Sequence, residues 1–228
     1  MGQRKQLDLP FRPWGGRRRG AGRKRTLRGL PRVPHRPREA HRHDHLVHTT
    51  MRVRRGIPSL RLCRLVKAVA DAIRRSSNAG FRVVEMSVQA DHMHLIVEAD
   101  DQHQLGCGMR GLAIRVARAI NRELGRRGSV WNDRWHGREL KTPREVRNAL
   151  VYVLCNRKKH DPNATGLDPC SSATWFSGWK GSAGLECRDP PSIERPTVAA
   201  RSWLARKGWH LRGGGFVGIE ERPRSIVS

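Results

Sequence analysis

Two histidines separated by one residue are the first candidates for chemistry in this chain. His92 and His94 flank Met93 in the run DHMHLIVEA, which has the composition of a β-strand. Alternate residues of a strand point to the same face of a sheet, so both imidazoles can reach one metal ion. The pair by itself favours the simpler interpretation, two histidines that line a polar sheet face. A second observation is needed to separate these interpretations.

That observation concerns Tyr152, the only tyrosine among the 228 residues. It lies in NALVYVLCNRKKH, with Asn156 one helical turn later on the same face. An aromatic residue on an apolar helix usually packs in a core, and Val151 and Val153 beside it suit that interpretation. A helix laid across the sheet would instead bring Tyr152 and Asn156 to the histidine pair.

The combination of these residues indicates a particular reaction. A phenol with an ordinary pKa of about 10 is a poor nucleophile unless its target is neutralised or its oxyanion is stabilised. Two neutral imidazoles and an amide oxygen leave open positions for phosphate oxygens and water, as Mg²⁺ or Mn²⁺ requires. Such a metal acts as Lewis acid and template, so the predicted chemistry is phosphodiester transesterification.

The charge of the chain favours a polyanionic partner. Lys and Arg total 46 against 20 Asp and Glu, which gives a formal net charge of +26 and a sequence pI near 11.6. This balance favours nucleic acid. We find no apolar run near the ~20 residues that span a bilayer, and no stretch like a signal peptide. We therefore expect no membrane contact and a cytoplasmic, nucleoid-associated location.

The five cysteines do not form a recognisable binding pattern. They are Cys63, Cys107, Cys155, Cys170 and Cys187, and no two of them make a C-x-x-C pair. This spacing argues against a zinc ribbon and against a disulfide framework. We expect reduced and mostly structural thiols.

Three regions follow from the composition and the periodicity. Residues 1–44 are rich in Arg, Gly and Pro without apolar periodicity, which predicts a basic flexible arm. Residues 45–160 carry the pattern of a catalytic domain. Residues 161–228 break into loops and a Pro-rich linker before the short helical run TVAARSWLARKGWH, which predicts an accessory segment.

The patterned region predicts an order of elements that can place the candidate residues. A strand in HLVHTTMRV precedes an amphipathic helix in LRLCRLVKAVADAIRRSS, and Phe81–Val88 and His92–Ala99 form a hairpin. A helix over about Leu105–Leu124, a strand in SVWNDRWHGRELK and a helix capped by Thr142 follow. This order predicts an α+β, ferredoxin-like βαββαβ core with an antiparallel sheet and an appended tyrosine-bearing helix.

Several sequence blocks in one order resemble a known family. They are SVQADHMHLIVEA, GMRGLAIRVARAINRELGRRGSVWNDRWHGRELKTPREVRNALVYVL and DPCSSATWFSGW. The chain resembles the HUH single-tyrosine transposases, and specifically the REP-associated tyrosine transposases that act on bacterial palindromic repeats. The likeness covers roughly residues 45–179. It departs from the family at Trp135, where relatives usually have tyrosine, and at Cys155, where they commonly have a polar residue.

The resemblance implies roles for the candidate residues. His92 and His94 would be metal ligands, Asn156 a third ligand, and Tyr152 the nucleophile that forms a covalent 5′-phosphotyrosine and frees a 3′-hydroxyl. The cofactor would be Mg²⁺ or Mn²⁺, and the partner single-stranded or hairpin DNA. The family allows either a monomer or a homodimer.

Basic and aromatic side chains supply candidate DNA-binding positions. Arg residues recur along two predicted helices, and GRRRGAGRKR in the arm resembles Gly-Arg elements that lie in minor grooves. An alternative is a solvated basic tail that binds phosphates without preference. Four tryptophans, Trp131, Trp135, Trp175 and Trp179, are candidates for base stacking, although tryptophan more often packs in a core. The predicted set is Arg18, Arg19, Arg23, Lys24, Arg25, Arg110, Arg115, Arg118, Arg122, Arg144, Arg147, Trp131 and Trp135.

Three alternatives remain open at this point. A non-catalytic nucleic-acid-binding protein would explain the charge and make the histidine and tyrosine positions incidental. A relaxase or replication-initiation nuclease on the same HUH core would keep the chemistry and change the biology. A zinc hydrolase is less favoured, because it would want a further His, Cys or carboxylate ligand and a general base.

Overall fold

A computed structural model describes residues 41–161, 163–181 and 193–223. The candidate arm residues Arg18, Arg19, Arg23, Lys24 and Arg25 and the cysteine Cys187 lie outside these ranges, so the predictions made for them stay predictions. All the other candidate site residues lie within the described ranges.

The described elements follow the predicted order through the tyrosine helix. They are β1 (Leu46–Arg52), α1 (Cys63–Arg74), β2 (Phe81–Val88), β3 (His92–Ala99), α2 (Gln102–Glu123), β4 (His136–Leu140), α3 (Pro143–Leu154) and α4 (Arg157–His160), then a 3₁₀ turn (Ser172–Trp175), a π-helical turn (Leu204–Gly208) and α5 (Trp209–Leu211). The two hairpin strands have the predicted bounds, whereas α2 begins three residues earlier than Leu105. Its start is marked by Asp101, whose side chain accepts a hydrogen bond from the Gln104 amide.

The four strands form one antiparallel sheet in the order β2-β3-β1-β4. The α+β prediction of a βαββαβ core with an antiparallel sheet and an appended helix is therefore confirmed. The hairpin puts β3 beside β2, and the long connections through α1 and α2 bring β1 and β4 to the other side of β3. The histidine strand thus lies in the interior of the sheet, with a neighbour on each edge.

The two faces of the sheet bury different helices. On one face, Met93 and Leu95 of β3 pack with α1 and α2 in a core that excludes water from all three elements. The helix α2 packs closely on β2, and Gly108 allows this packing. A Cβ at position 108 would lie 2.1 Å from the Phe81 ring. On the other face, Ile96 packs with α3. His92 and His94 alternate with Met93 and Leu95, so they face the α3 side.

The tyrosine helix starts as predicted and ends earlier than predicted. Thr142 and Glu145 form a reciprocal capping box around Pro143. The helix α3 ends at Leu154, so Asn156 stands at the start of the short α4 rather than on α3 itself. Its φ of −58° and ψ of −34° are helical, so Asn156 still follows Tyr152 by one turn.

The C-terminal segment packs on the tyrosine helix. Arg147 of α3 donates to both carboxylate oxygens of Glu221, at 2.7 and 3.1 Å, and to the backbone oxygens of Gly215 and Phe216. The buried Glu98 accepts from the backbone amides of Arg201 and Ser202. Within the run TVAARSWLARKGWH and the described residues after it, helical structure is limited to the π-helical turn and α5, which is less than the sequence run suggested. None of the helices in the described ranges has the length and apolar character to cross a membrane.

Candidate active site

Four aromatic side chains meet where α3 crosses the sheet. The ring centroids of His92 and His94 lie 4.7 Å apart, and the Tyr152 ring lies edge-on to His94 at 5.0 Å. His48 of β1 completes the group, 5.3 Å from His94 and 5.5 Å from Tyr152. The structure therefore brings the histidine pair together with Tyr152, which follows His94 by 58 positions in the sequence.

The sheet register determines how His94 is oriented. Thr50 of β1 is the direct partner of His94 on β3, and Thr50 Oγ1 lies 3.0 Å from His94 Nδ1. Residues opposite each other in an antiparallel pair share a face, so this contact follows from the strand pairing. With Nδ1 engaged by the hydroxyl, Nε2 is the ring nitrogen of His94 that is left without a hydrogen-bond partner.

His92 is oriented by a carboxylate. Its Nδ1 lies 2.6 Å from Asp91 Oδ1, and the other oxygen of Asp91 accepts from the Arg52 guanidinium at 2.5 and 2.9 Å. The hydrogen bond from His92 is the largest cause that lowers the pKa of Asp91, so this carboxyl is ionised at neutral pH. A carboxylate on Nδ1 places the proton there and leaves Nε2 with its lone pair, as in many metal-ligating histidines.

Asn156 is buried beneath the tyrosine. It is fully inaccessible to solvent, and its Nδ2 donates to the Tyr152 backbone oxygen at 3.2 Å. Its Oδ1 is buried without a hydrogen-bond partner. The hydrogen bond from Nδ2 therefore holds the Asn156 amide in place, while Oδ1 accepts no hydrogen bond.

Burial keeps two of the imidazoles neutral. It lowers the pKa of His94 to about 2, and the nearby His48 and His92 lower it further in the same direction. Burial also lowers the pKa of His48 to about 4, with a smaller contribution from Arg138. Neutral imidazoles carry the lone pairs that a metal ion requires.

The donor atoms fit a small oxygen-preferring cation better than a structural zinc site. His94 Nε2 and Asn156 Oδ1 are buried without hydrogen-bond partners, as is His48 Nε2. Buried polar atoms normally have a partner, so these three atoms are available to a ligand. Within the described ranges, no cluster of three or more His, Cys, Asp or Glu side chains is arranged to hold a metal. The ligand set of His92, His94 and Asn156, with open positions for water and phosphate, stays a prediction.

Three neighbours of the site were missed from the sequence. They are His48, Lys159 and His160. The Lys159 ammonium lies 3.4 Å from the Tyr152 hydroxyl, and the His160 ring lies 6.0 Å from that of His92. A signal existed for His48, which shares the period-two pattern of its strand with Thr50. None existed for the other two, which depend on how α4 turns back on the site.

The predicted basic residues do not all lie at the site. Four arginines of α2, namely Arg110, Arg115, Arg118 and Arg122, are exposed. Because α2 covers the sheet face opposite the histidines, they lie on the far side of the sheet from Tyr152. Arg144 is exposed near the start of α3. Arg147 is engaged by Glu221, so it serves the packing of the C-terminal segment.

Of the four candidate tryptophans, Trp179 is buried, with its Nε1 donating to the Ala173 backbone oxygen at 2.9 Å, and the other three are half-buried. Trp131 Nε1 donates to the Ala113 backbone oxygen at 2.9 Å, and its ring packs on the core under α2. Trp135 packs against the same core, and a Cβ on Gly137 would lie 2.4 Å from its ring. Both rings therefore contribute to packing, and base stacking by them stays a prediction.

One protein-family model matches the part of the chain that contains the sheet and Tyr152. The family model described as IS200-like transposase matches residues 43–152. Residues 43–152 therefore form an IS200-like transposase domain. The matched part of the transposase runs from just before β1 to the tyrosine, and it contains His92, His94 and Tyr152. Asn156 and α4 lie beyond it. Membership implies DNA endonuclease and strand-transfer activity.

Other comparisons add little to this assignment. No curated protein matches the transposase. A solved structure of a REP-associated tyrosine transposase bound to a REP hairpin is similar, with 13% sequence identity and a TM-score of 0.47. That match covers 75% of this chain and 100% of the other. At this TM-score the similarity carries no argument about the substrate.

Proposed function

We propose that this transposase cleaves and rejoins single-stranded or hairpin DNA by metal-dependent transesterification through a covalent 5′-phosphotyrosine on Tyr152. The proposal rests mainly on one observation. The Tyr152 ring lies 5.0 Å from His94, on the sheet face where His94 Nε2 is buried without a partner. A core tyrosine needs neither the histidine pair nor an unused nitrogen beside it.

The proposed step exchanges one phosphate ester for another. The Tyr152 phenol oxygen bonds to phosphorus, and the bond from phosphorus to the 3′ oxygen of the preceding nucleotide breaks. The phenol loses one proton and the leaving 3′ oxygen takes one up, so the products are a 5′-phosphotyrosine and a free 3′-hydroxyl. Attack by a 3′-hydroxyl on the phosphotyrosine reverses the exchange, which accounts for rejoining without an external energy source.

His92, His94 and Asn156 are the proposed metal-holding residues. His92 is oriented by Asp91 and His94 by Thr50, and Asn156 offers the free Oδ1. A bound Mg²⁺ or Mn²⁺ would withdraw charge from the phosphate and make phosphorus more electrophilic. The protein's own contribution is to fix the ligands and keep Tyr152 over them, because small displacements of a nucleophile are costly.

Palindromic repeats are the proposed substrate class. The net charge of +26 supports binding to a polyanion, and the exposed arginines of α2 together with Arg144 offer phosphate contacts around the domain. The arm, with Arg18, Arg19, Arg23, Lys24 and Arg25, is proposed to add a second contact. These contacts track the backbone, so they favour DNA without selecting its sequence.

The first experiment seeks the covalent adduct. Wild type, Tyr152→Phe and His94→Ala are incubated with labelled hairpin DNA carrying palindromic repeats, with Mn²⁺ or with EDTA, and resolved on a denaturing protein gel. We expect a labelled band only for wild type with Mn²⁺. His103→Ala is the matched control, because His103 is an exposed histidine on α2, and it should form the adduct like wild type.

Three outcomes would each contradict a part of the proposal. DNA binding by wild type without any adduct would favour the non-catalytic binding protein. Equal cutting of a fully paired duplex would contradict the single-strand or hairpin substrate. An adduct that forms on single strands without palindromes would favour a relaxase or replication-initiation nuclease.

A further inference from the structure

Lys159 lies against the proposed nucleophile. Its ammonium is within donating distance of the Tyr152 hydroxyl, at 3.4 Å, and it lies 5.0 Å from the centre of the ring. The side chain is exposed, so a substrate can reach it. Among the described residues, Lys159 is the cation that donates a hydrogen bond to the proposed reacting oxygen.

The short helix that carries Lys159 is held in place by its neighbour. Lys158 is 4% exposed, and its ammonium donates to the Ile219 backbone oxygen and to the Glu220 carboxylate. The Arg222 guanidinium donates to the Lys158 backbone oxygen at 3.3 Å. Two adjacent lysines therefore have different functions, since Lys158 anchors α4 to the C-terminal segment and Lys159 faces Tyr152.

The charge of Lys159 lacks an anionic partner in the described part of the chain. No carboxylate there lies within 4.0 Å of its ammonium, although several nearby cations are paired, such as Lys158 with Glu220. An ammonium without a carboxylate partner, beside the proposed reacting oxygen, gains most from an incoming anion, and the anion expected at this place is a phosphate.

We propose that Lys159 is a further catalytic residue, whose ammonium contacts the Tyr152 oxygen and a non-bridging oxygen of the scissile phosphate together. This inference rests on the proposed function. As the phenol oxygen bonds to phosphorus and the bond to the 3′ oxygen breaks, negative charge builds on the non-bridging oxygens. Lys159 stabilises that charge and holds the two reacting groups together, and it keeps its own protons throughout.

The test compares the adduct rate with DNA affinity. Lys159→Met, Lys159→Arg and the control Lys67→Met are assayed in single turnover at saturating hairpin DNA, and Kd is measured by fluorescence anisotropy at fixed salt. Lys67 is an exposed lysine on α1, on the opposite side of the sheet. We expect Lys159→Met to slow adduct formation about 100-fold, as for loss of one charge-stabilising donor. Its Kd should change less than about threefold, and Lys159→Arg should recover most of the rate.

A second substrate distinguishes a role of Lys159 at the nucleophile and phosphate from a role at the leaving 3′ oxygen. In DNA with sulfur in place of the scissile 3′ oxygen, the leaving group needs no proton. The Lys159→Met defect should persist with this substrate, because the proposed contact is with the nucleophile and the phosphate. Disappearance of the defect would overturn the proposal in favour of a role on the leaving group.

The remaining outcomes are also decisive. An unchanged rate in Lys159→Met at saturating DNA, whatever its Kd, overturns the catalytic role and leaves the proposed function standing. A wild type that forms no adduct overturns the proposed function and this inference with it. The two failures are therefore distinguishable in one set of reactions.

Discussion

Thr50 and His94 face each other across the β1–β3 pair, with Thr50 Oγ1 3.0 Å from His94 Nδ1. This cross-strand contact gives a buried histidine a defined orientation without a charged partner. The carboxylate of Asp91 does the same for the less buried His92. The two histidines are thus oriented by different means that suit their burial, because an ionised partner would be costly next to His94.

Removal of the Thr50 hydroxyl should weaken metal binding. Thr50→Val keeps the shape of the side chain and removes the partner of His94 Nδ1. We expect the Mn²⁺ concentration for half-maximal adduct formation to rise about 10-fold or more, since outer-shell partners are worth 10–100-fold in affinity. Thr49→Val is the control, because Thr49 points to the opposite face and its hydroxyl has no hydrogen-bond partner. Equal metal dependence in both variants would contradict an orienting role for Thr50.

A substitution at Asn156 should change how much Mn²⁺ stabilises the protein against heat. In Asn156→Asp the fully buried amide becomes a carboxylate, and an uncompensated buried charge is destabilising by several kcal/mol. We expect Tm to fall without metal and to rise more on addition of Mn²⁺ than in wild type. Asn163→Asp, at an exposed loop position, should show the wild-type response. The same Mn²⁺ shift in wild type and Asn156→Asp would argue against Asn156 as a ligand.

A buried ion pair secures the loop after α4. Asp168 is 3% exposed and accepts from both terminal nitrogens of Arg61, at 2.7 and 3.0 Å. Asp168→Asn leaves that guanidinium without its counter-charge, so the free energy of unfolding should fall by about 3 kcal/mol in urea titration. Asp71→Asn breaks an exposed pair with Arg74 and should cost less than about 1 kcal/mol. Similar losses in the two variants would contradict the structural role of Asp168.

The cysteine beside Asn156 should be chemically inert. Burial raises the pKa of the Cys155 thiol to about 12, so at pH 8 only roughly one thiol in 10⁴ is ionised and able to react. The thiols of Cys63 and Cys107 are exposed. After brief treatment with iodoacetamide, peptide mass spectrometry should find the exposed pair modified and Cys155 unmodified until the protein is denatured. Early modification of Cys155 would show that the end of α3 opens in solution.

The local patterns in the sequence predicted the frame of the domain correctly. Alternation in DHMHLIVEA determines that His92 and His94 share a face, since side chains of a strand alternate whatever packs above them. The run from Thr142 to Glu145 determines where α3 starts, because a capping box is completed within four residues. The single tyrosine identified the nucleophile candidate without reference to the fold.

Other features depended on chain segments that meet only in the folded state. The end of α3 at Leu154, and with it the place of Asn156, is accompanied by packing of α4 on the C-terminal segment. The engagement of Arg147 by Glu221 crosses 74 positions, and a count of basic residues could not distinguish this arginine from an exposed one such as Arg144. The sequence likewise could not show on which side of the sheet the arginines of α2 lie, because that depends on how α2 packs on the assembled sheet.

The order of residues dictates which residue types are available to this transposase and, for each strand and helix, which of them share a face. Packing between elements brings Tyr152 to His94 and His48, sets Thr50 against His94, and places Lys159 rather than Lys158 at the phenol. The reason is that a period of two or 3.6 residues is dictated by backbone geometry within one element. Contacts between elements are dictated by burial and charge pairing across the whole chain, to which every segment contributes at once.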